Sequence, residues 1–400
     1  MPANAMERGA EGGQQAEREL LDSGPVAGAR EEEMPRVLLT RRQIVAFATF
    51  VLIGVGFLYF VLPQLAGAGK TVHRLAGGDK WWIAIGVLFE LLSFAGYVVL
   101  FRSVFVVTAR TPASAQRIGW RESYEITMAG LVATRLFAAA GAGGVALTAW
   151  ALRRSGMAPR LVACRMVAFM VLLYVIYAGS LLLDGVGLGS GLFPGGGSLA
   201  ITLVPAIVAT ILFAVAGALA LVPGDLERRL QRGASGSGRA KQWLTRAATA
   251  SALAASGVRT AIDLVRTRDP GLLGAPAWWG FDIAVLWAMF HAFGSPPPFT
   301  VIWMAYFVGM LGNLLPLPGG FGGVEGGMIG ALVAFGVDFR LTVLAVLSYR
   351  AISFWLPTFP GIVAYFQLRR TVARWRDEQP TLAGAARAGA SEPASALQSS

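Results

Sequence analysis

Residues 299–337 read FTVIWMAYFVGMLGNLLPLPGGFGGVEGGMIGALVAFGV. Two apolar flanks meet at a cluster of helix breakers: Pro316, Pro318, Gly319, Gly320, Gly322 and Gly323. A helix rises about 1.5 Å per residue, so neither flank comfortably spans the roughly 30 Å of hydrocarbon in a bilayer. Backbone groups cannot stay unpaired at that depth unless they are buried in protein or line a wet cavity. The pattern therefore predicts a helical hairpin that enters the membrane, turns at the glycines and leaves on the same side. Glu325 stands just past the turn, a charge where hydrocarbon disfavours one.

Working outward, a second stretch has the same form. Residues 123–152 are largely apolar on either side of Gly141, Gly143 and Gly144, with Arg135 shortly before the turn. Six uninterrupted apolar runs surround the two broken ones, at about 44–65, 81–101, 161–183, 199–221, 277–293 and 342–366. Each has the length that crosses a bilayer as a helix. Composition agrees, since 55% of residues are hydrophobic, only 14% are charged and the mean hydropathy is +0.59. A soluble chain of this size has too little interior to hide that surface. The expected fold is all-α and polytopic, with six full transmembrane helices plus two re-entrant hairpins in a membrane domain at 39–376. Residues 1–38 and 377–400 lack an apolar stripe and read as disordered cytoplasmic tails. The first apolar run starts too far from Met1 to be a signal peptide.

Basic residues set the orientation, because Lys and Arg concentrate in cytoplasmic loops. Arg36, Arg41 and Arg42 place the amino terminus inside. With both broken stretches re-entrant, three further groups fall inside: Arg102 to Arg121, Arg153 to Arg160, and the long loop from Arg228 to Arg268. Arg369–Arg376 also falls inside, so both termini are cytoplasmic in a multi-pass protein of the cytoplasmic (inner) membrane. Loops 184–198 and 294–298 carry no Lys or Arg, and loop 66–80, with Lys70, Arg74 and Lys80, is the exception. Letting the broken stretches cross would put the long basic loop outside. The same count yields an inverted repeat: span, span, hairpin, span at about 44–183, then again at about 199–366. Gly141-Ala-Gly-Gly-Val145 parallels Gly320-Phe-Gly-Gly-Val324, and Gly156 leads into Arg160-Leu161 as Gly336 leads into Arg340-Leu341. Transporters often use inverted repeats with broken helices around a midplane site.

Several function classes fall away. The net charge of +11 is scattered through short loops and not gathered on one polar face, which argues against nucleic-acid binding. A lone cysteine, Cys164, excludes an internal disulfide, and His73 and His291 have no ligand-spaced companions, so no metal or cofactor is expected. Gly233 to Arg239 lacks the Lys and Ser/Thr of a phosphate-binding loop. Residues 241–267 repeat apolar side chains at helical spacing (Trp243, Ala247, Ala254, Val258, Ile262 and Val265), with Arg246, Arg259 and Arg266 elsewhere on the helix. They read as an amphipathic helix on the anionic cytoplasmic leaflet, or packed under the bundle. Trp81, Trp82, Trp278 and Trp279 open spans and read as interfacial anchors.

The informative residues are charges within apolar segments, each disfavoured by at least about 2.5 kcal/mol at the bilayer centre. They are Glu90 in the second span, Arg135 and Glu325 at the hairpins, Arg165 in the third span, and Arg350 in the last. Asp282 and Arg165 read as nearer cytoplasmic span ends. Arg135, Arg165 and Arg350 would bind a lipid phosphate, which a guanidinium fork suits. Glu90 and Glu325 would balance them or receive a cationic headgroup. The plainer reading is that pairs such as Glu325–Arg350 only fasten the hairpins to the bundle.

The run Asn313-Leu-Leu-Pro-Leu-Pro-Gly-Gly-Phe-Gly-Gly-Val-Glu325, with Tyr349-Arg350-Ala-Ile-Ser-Phe-Trp-Leu-Pro357 downstream, resembles the transmembrane region of lysylphosphatidylglycerol synthases and their stand-alone, flippase-like relatives. The first hairpin departs from that family, carrying Thr134-Arg-Leu-Phe-Ala-Ala-Ala-Gly-Ala-Gly-Gly144 without a Pro or Glu. The resemblance implies a lipid translocase acting on a phospholipid or a polyprenyl-linked lipid. It also implies that synthase activity belongs to a separate soluble domain not expected here. The alternatives are an intramembrane enzyme or subunit of glycolipid assembly, and a scaffold in an envelope complex. A separate synthase or a second copy of the chain is an expected partner.

Overall fold

A computed structural model describes residues 56, 77–107, 117–136, 142–221, 239–314, 320 and 322–390. The expected tail at 1–38, nearly all of the first expected span at 44–65, and the turn residues Gly141, Pro318 and Gly319 lie outside the described residues.

Every regular element among the described residues is helical. In order they are α1 (Lys80–Arg102), continued by a π-helical turn (Ser103–Val107), α2 (Trp120–Leu136), α3 (Ala142–Arg154), α4 (Pro159–Gly189) and α5 (Leu199–Leu221). Then come α6 (Arg239–Arg266), α7 (Gly274–Phe293), preceded by a 3-10 turn from Pro270, and α8 (Phe299–Met310), which ends in a 3-10 turn at Leu311–Leu314. The last three are α9 (Gly323–Ala334), α10 (Phe339–Arg350) and, after a π-helical turn at Ala351–Trp355, α11 (Leu356–Ala390). Five continuous stretches are long and apolar enough to cross a membrane: Lys80–Val107, Pro159–Gly189, Leu199–Leu221, Pro270–Phe293 and Phe339–Arg376. They coincide with the second to sixth expected spans. The chain is a multi-pass helical membrane protein. Residues 377–390, expected as part of a tail, continue α11 as helix.

Helix ends follow from local chemistry. Asp79 caps α1 by accepting from the Trp81 N–H at 2.9 Å, and Asp338 caps α10 from the Leu341 N–H at 2.9 Å. The ends of α3 and α9 are built alike. Gly156 (φ 102°) and Gly336 (φ 84°) each sit in the left-handed region two residues after the helix. The N–H of Gly156 reaches the Arg153 carbonyl and that of Met157 reaches Leu152; Gly336 reaches Val333 and Val337 reaches Leu332 in the same register. The next helix starts three residues on in both places. Matching glycines in the sequence thus build matching turns.

Both broken stretches form side-by-side helix pairs, α2 with α3 and α8 with α9. Glycine permits the approach. A Cβ on Gly144 would lie 2.4 Å from the Gly130 carbonyl oxygen, and one on Gly309 would lie 2.9 Å from the Met328 nitrogen. Small residues let backbones approach where apolar solvent supplies no driving force between helices.

Two apolar cores flank the middle of the protein. One gathers Phe101, Phe105, Ile126, Leu152, Phe169 and Trp375, around the α2–α3 pair. The other gathers Leu286, Phe290, Tyr306, Phe307, Leu332 and Leu347, around the α8–α9 pair. The long helix α4 serves both, with Leu161–Leu173 in the first core and Tyr177–Leu188 in the second. The two pairs therefore pack at opposite ends of α4.

Helix α6 is the expected amphipathic segment, and it lies against α4 and α5. Its buried face is Ala255, Gly257, Val258, Ala261 and Leu264, while Ile262 and Val265, expected on the apolar stripe, are exposed. Trp81 is exposed as an anchor would be, but Trp279 is core: its indole N–H donates to the Leu173 carbonyl at 3.0 Å.

Candidate functional site

Between the two cores, α1 and α7 cross closely, since a Cβ on Gly274 would lie 2.3 Å from the Gly96 carbonyl oxygen. Further along that crossing, ionisable side chains from five helices converge. Glu90 projects from the middle of α1 and is 2% exposed. It lies within side-chain reach of Asp282 on α7. Asp282 Oδ2 accepts hydrogen bonds from the Tyr306 hydroxyl on α8 and, at 3.1 Å, from the Tyr349 hydroxyl on α10.

Two guanidiniums complete the group. Arg350, at the end of α10, pairs with Glu325 through Nε at 2.7 Å from Oε1. The other Glu325 oxygen accepts the Gly322 N–H at 2.7 Å, so the side chain also fastens the start of its own helix. Arg135, at the end of α2, donates to the Phe354 carbonyl at 2.6 Å and to the Ser353 carbonyl at 2.9 Å. Sequence explains why an acceptor is available there. Pro357 has no N–H to return to the Ser353 carbonyl four residues earlier, and the helix widens into a π turn over Ala351–Trp355. Both guanidiniums also sit over the Phe354 ring, at 5.2 Å for Arg135 and 5.6 Å for Arg350.

The structure thus brings together Glu90, Arg135, Glu325 and Arg350. It does not bring Arg165 to them. That guanidinium is buried in the first core, where it donates to the Val104 carbonyl at the π turn that ends α1. Of the residues expected at the hairpin turns, Gly143 and Gly144 lie in the first turn of α3, Gly320 and Gly322 take positive φ, and Gly323 opens α9.

Asp282, Tyr306 and Tyr349 belong to the cluster although sequence reasoning gave them no part in it. Asp282 read as near a span end because the uninterrupted apolar run starts at about 277. The helix starts at Gly274, after a 3-10 turn capped by Asp269, and this moves Asp282 inward. A carboxylate one turn beyond Trp278 in an otherwise apolar run was the available signal. The tyrosines had a weaker one, because tyrosine is common in apolar cores. A buried acid outside the cluster, Glu125, lies on α2, where it meets Arg121 at 2.9 Å and accepts from the Thr371 hydroxyl of α11 at 2.7 Å.

Chemically the cluster is a fixed set of charges enclosed by apolar helices. Arg135 can exchange main-chain carbonyls for a phosphate, and the acids can meet a cation.

Residues 43–361 match the model of the family described as Lysylphosphatidylglycerol synthase TM region. Two relatives from Methanothermobacter thermautotrophicus, each described as a UPF0104 membrane protein, are similar over shorter stretches. One is 33% identical over 109 residues, 27% of this chain and 31% of the relative. The other is 35% identical over 86 residues, 21% of this chain and 26% of the relative. The aligned part of the chain therefore spans less than a third of the length of either. The family match, by contrast, runs through both helix pairs and every charge of the cluster, and the chain belongs to the lysylphosphatidylglycerol synthase transmembrane-region family.

Proposed function

We propose that this protein is a lipid translocase of the cytoplasmic membrane, moving a phospholipid or a lipid-linked headgroup between leaflets. The observation that carries the reading is the buried cluster itself. Glu90, Arg135, Asp282, Glu325 and Arg350 come from five different helices and meet inside apolar segments. Charges at that depth are disfavoured unless they serve a pathway or a partner.

The topology that fits this function has six spans and two re-entrant hairpins in an inverted repeat, with both termini cytoplasmic. Three features support it. The helices of each pair are short, 17 and 13 residues in the first and 12 and 12 in the second. The pairs pack on opposite ends of α4. Contacts also exchange between the repeats: α2 lies along α11, its counterpart α8 lies against α4, and α1 crosses its counterpart α7. Repeats so related can rock about a shared axis while the site stays in place.

In this mechanism a headgroup phosphate enters between the repeats and takes Arg135 from the Ser353 and Phe354 carbonyls. Arg350, already held by Glu325, supplies the second positive charge. The apolar helices exclude bulk water, which strengthens each of these contacts. The acyl chains stay in lipid while the head passes.

Vesicles containing the purified protein should expose inner-leaflet headgroups of a fluorescent phospholipid to a membrane-impermeant quencher faster than empty vesicles. Arg350→Ala and Arg135→Gln should each slow the exposure at least tenfold. Equal rates with and without protein, across anionic and zwitterionic lipids, would overturn the reading.

A further inference from the structure

The cluster's charges do not balance. Among the described residues it holds three carboxylates, Glu90, Asp282 and Glu325, against two guanidiniums, Arg135 and Arg350. Arg350 Nε meets Glu325 and Arg135 donates to two carbonyls, while both guanidiniums also act on Glu90 through space. What remains is on the acids. Glu90 Oε2 and Asp282 Oδ1 are both buried without a hydrogen-bond partner. A buried carboxylate oxygen left without a donor is strongly disfavoured. Two such oxygens on neighbouring acids add mutual repulsion, which one cation placed between them removes.

The surroundings limit the size of that cation. Tyr306 and Tyr349 already occupy the other oxygen of Asp282. One turn along α1, a Cβ on Gly86 would lie 2.6 Å from the Met289 methyl, so α1 and α7 are closely packed beside the acids. The Ser353 hydroxyl is also buried without a partner, and it lies near the Tyr349 hydroxyl. It offers a further neutral oxygen at the edge of the site.

We propose that Glu90 and Asp282 together hold one small monovalent cation, a proton or a sodium ion, at the crossing of α1 and α7. The two acids sit on helices that correspond in the repeat, so any rocking of one repeat against the other changes their separation. Bound, the cation draws the acids together and neutralises the cluster. Released, it leaves a net negative site that repels an anionic headgroup. The binding claim stands alone, while coupling to lipid movement rests on the translocase reading.

The test uses the full chain in nanodiscs and separates the two ions. In sodium-free choline buffer, infrared difference spectra between acid and alkaline pH read carboxyl protonation. At fixed pH, sodium titration is followed by tryptophan fluorescence, since Trp278 and Trp279 stand one turn from Asp282. One arm should give a response, and Glu90→Gln and Asp282→Asn should each weaken it at least tenfold. Asp184→Asn is the control: that buried acid on α4 also lacks partners but lies outside the cluster, and its removal should leave the response intact. Melting curves identify any variant that is misfolded, and the other acid then decides. Silence in both arms, or the same response in wild type and both variants, overturns the site. Loss of the response in Asp184→Asn alone would move the site to α4 and overturn it equally. Ion binding without lipid flux would leave this site standing and remove the translocase reading. Flux without ion binding would do the reverse.

Discussion

The two helix pairs share a plan and differ in charge. Each has a glycine-lined contact between its helices and a left-handed glycine leading into the next span. The α8–α9 pair brings an acid, Glu325, which fastens its own helix start and meets a guanidinium of the last span. The α2–α3 pair brings a base, Arg135, which meets main-chain carbonyls of the same span. Residues 350–354 therefore receive both pairs, one through a side-chain charge and one through backbone freed by Pro357. An ion pair buried in a low-dielectric interior is hard to separate. Hydrogen bonds to carbonyls are easily exchanged for a phosphate. The difference makes the second pair the fixed element and the first the exchangeable one.

The largest expected effect separates these two attachments. Arg350→Met strands Glu325 in the interior, and removing one partner of a buried pair destabilises by about 3–5 kcal/mol. Arg135→Met loses charge-assisted bonds to two carbonyls, of which that of Phe354 keeps the Thr358 hydroxyl, at about 1.5–3 kcal/mol. Unfolding in nanodiscs, by heat or denaturant, should therefore rank Arg350→Met well below Arg135→Met. Adding Glu325→Gln to Arg350→Met should recover part of the loss. Equal losses for the two arginines, or no recovery in the double variant, would erase the distinction between fixed and exchangeable pairs.

How much of this was readable in the sequence depends on the kind of signal. The spans and the broken stretches were legible, because twenty apolar residues and a glycine cluster are statements about length and backbone that need no partner. Glu325 and Arg350 were legible as charges in the wrong solvent. The target of Arg135 was not, because it is a pair of carbonyls, and a carbonyl has no letter; only Pro357 hints that one is released. Arg165 carried the same signal as Arg350, yet it ends on the Val104 carbonyl in the first core. A charge in an apolar run says that some partner exists, and tertiary packing decides which. Asp282 was misjudged by where its helix begins. The face of α6 was read only in part, because Val258 is buried as expected while Ala255, Gly257, Ala261 and Leu264 are buried in place of Ile262 and Val265.

A smaller effect tests whether both pairs depend on close backbone approach. A Cβ on Gly309 meets the Met328 backbone, and one on Gly144 meets the Gly130 carbonyl and the Thr134 hydroxyl. Overpacking of this kind costs about 1–3 kcal/mol. Gly309→Ala and Gly144→Ala should both lower the melting midpoint. The cost at Gly144 should be the smaller despite its closer backbone contact, because the exchangeable pair can shift as a whole. Gly326, whose added Cβ would meet nothing within 4 Å, is the matched control and should tolerate alanine. A greater loss at Gly144 than at Gly309 would reverse the assignment of which pair is fixed.

The smallest effect concerns what the pairs hold in common. Gly156 and Gly336 have open space around them, so alanine there meets no clash and reports backbone strain alone. An L-residue in the left-handed region is disfavoured by about 1 kcal/mol. Gly156→Ala and Gly336→Ala should therefore cost nearly the same, within about 0.5 kcal/mol, and should add when combined, since distant independent sites do. Asparagine, which tolerates this conformation better than other side chains, should restore part of the loss at both. A large difference between the two positions would mean that the matching turns bear different loads, and that the repeat is a likeness of shape without a shared mechanical role.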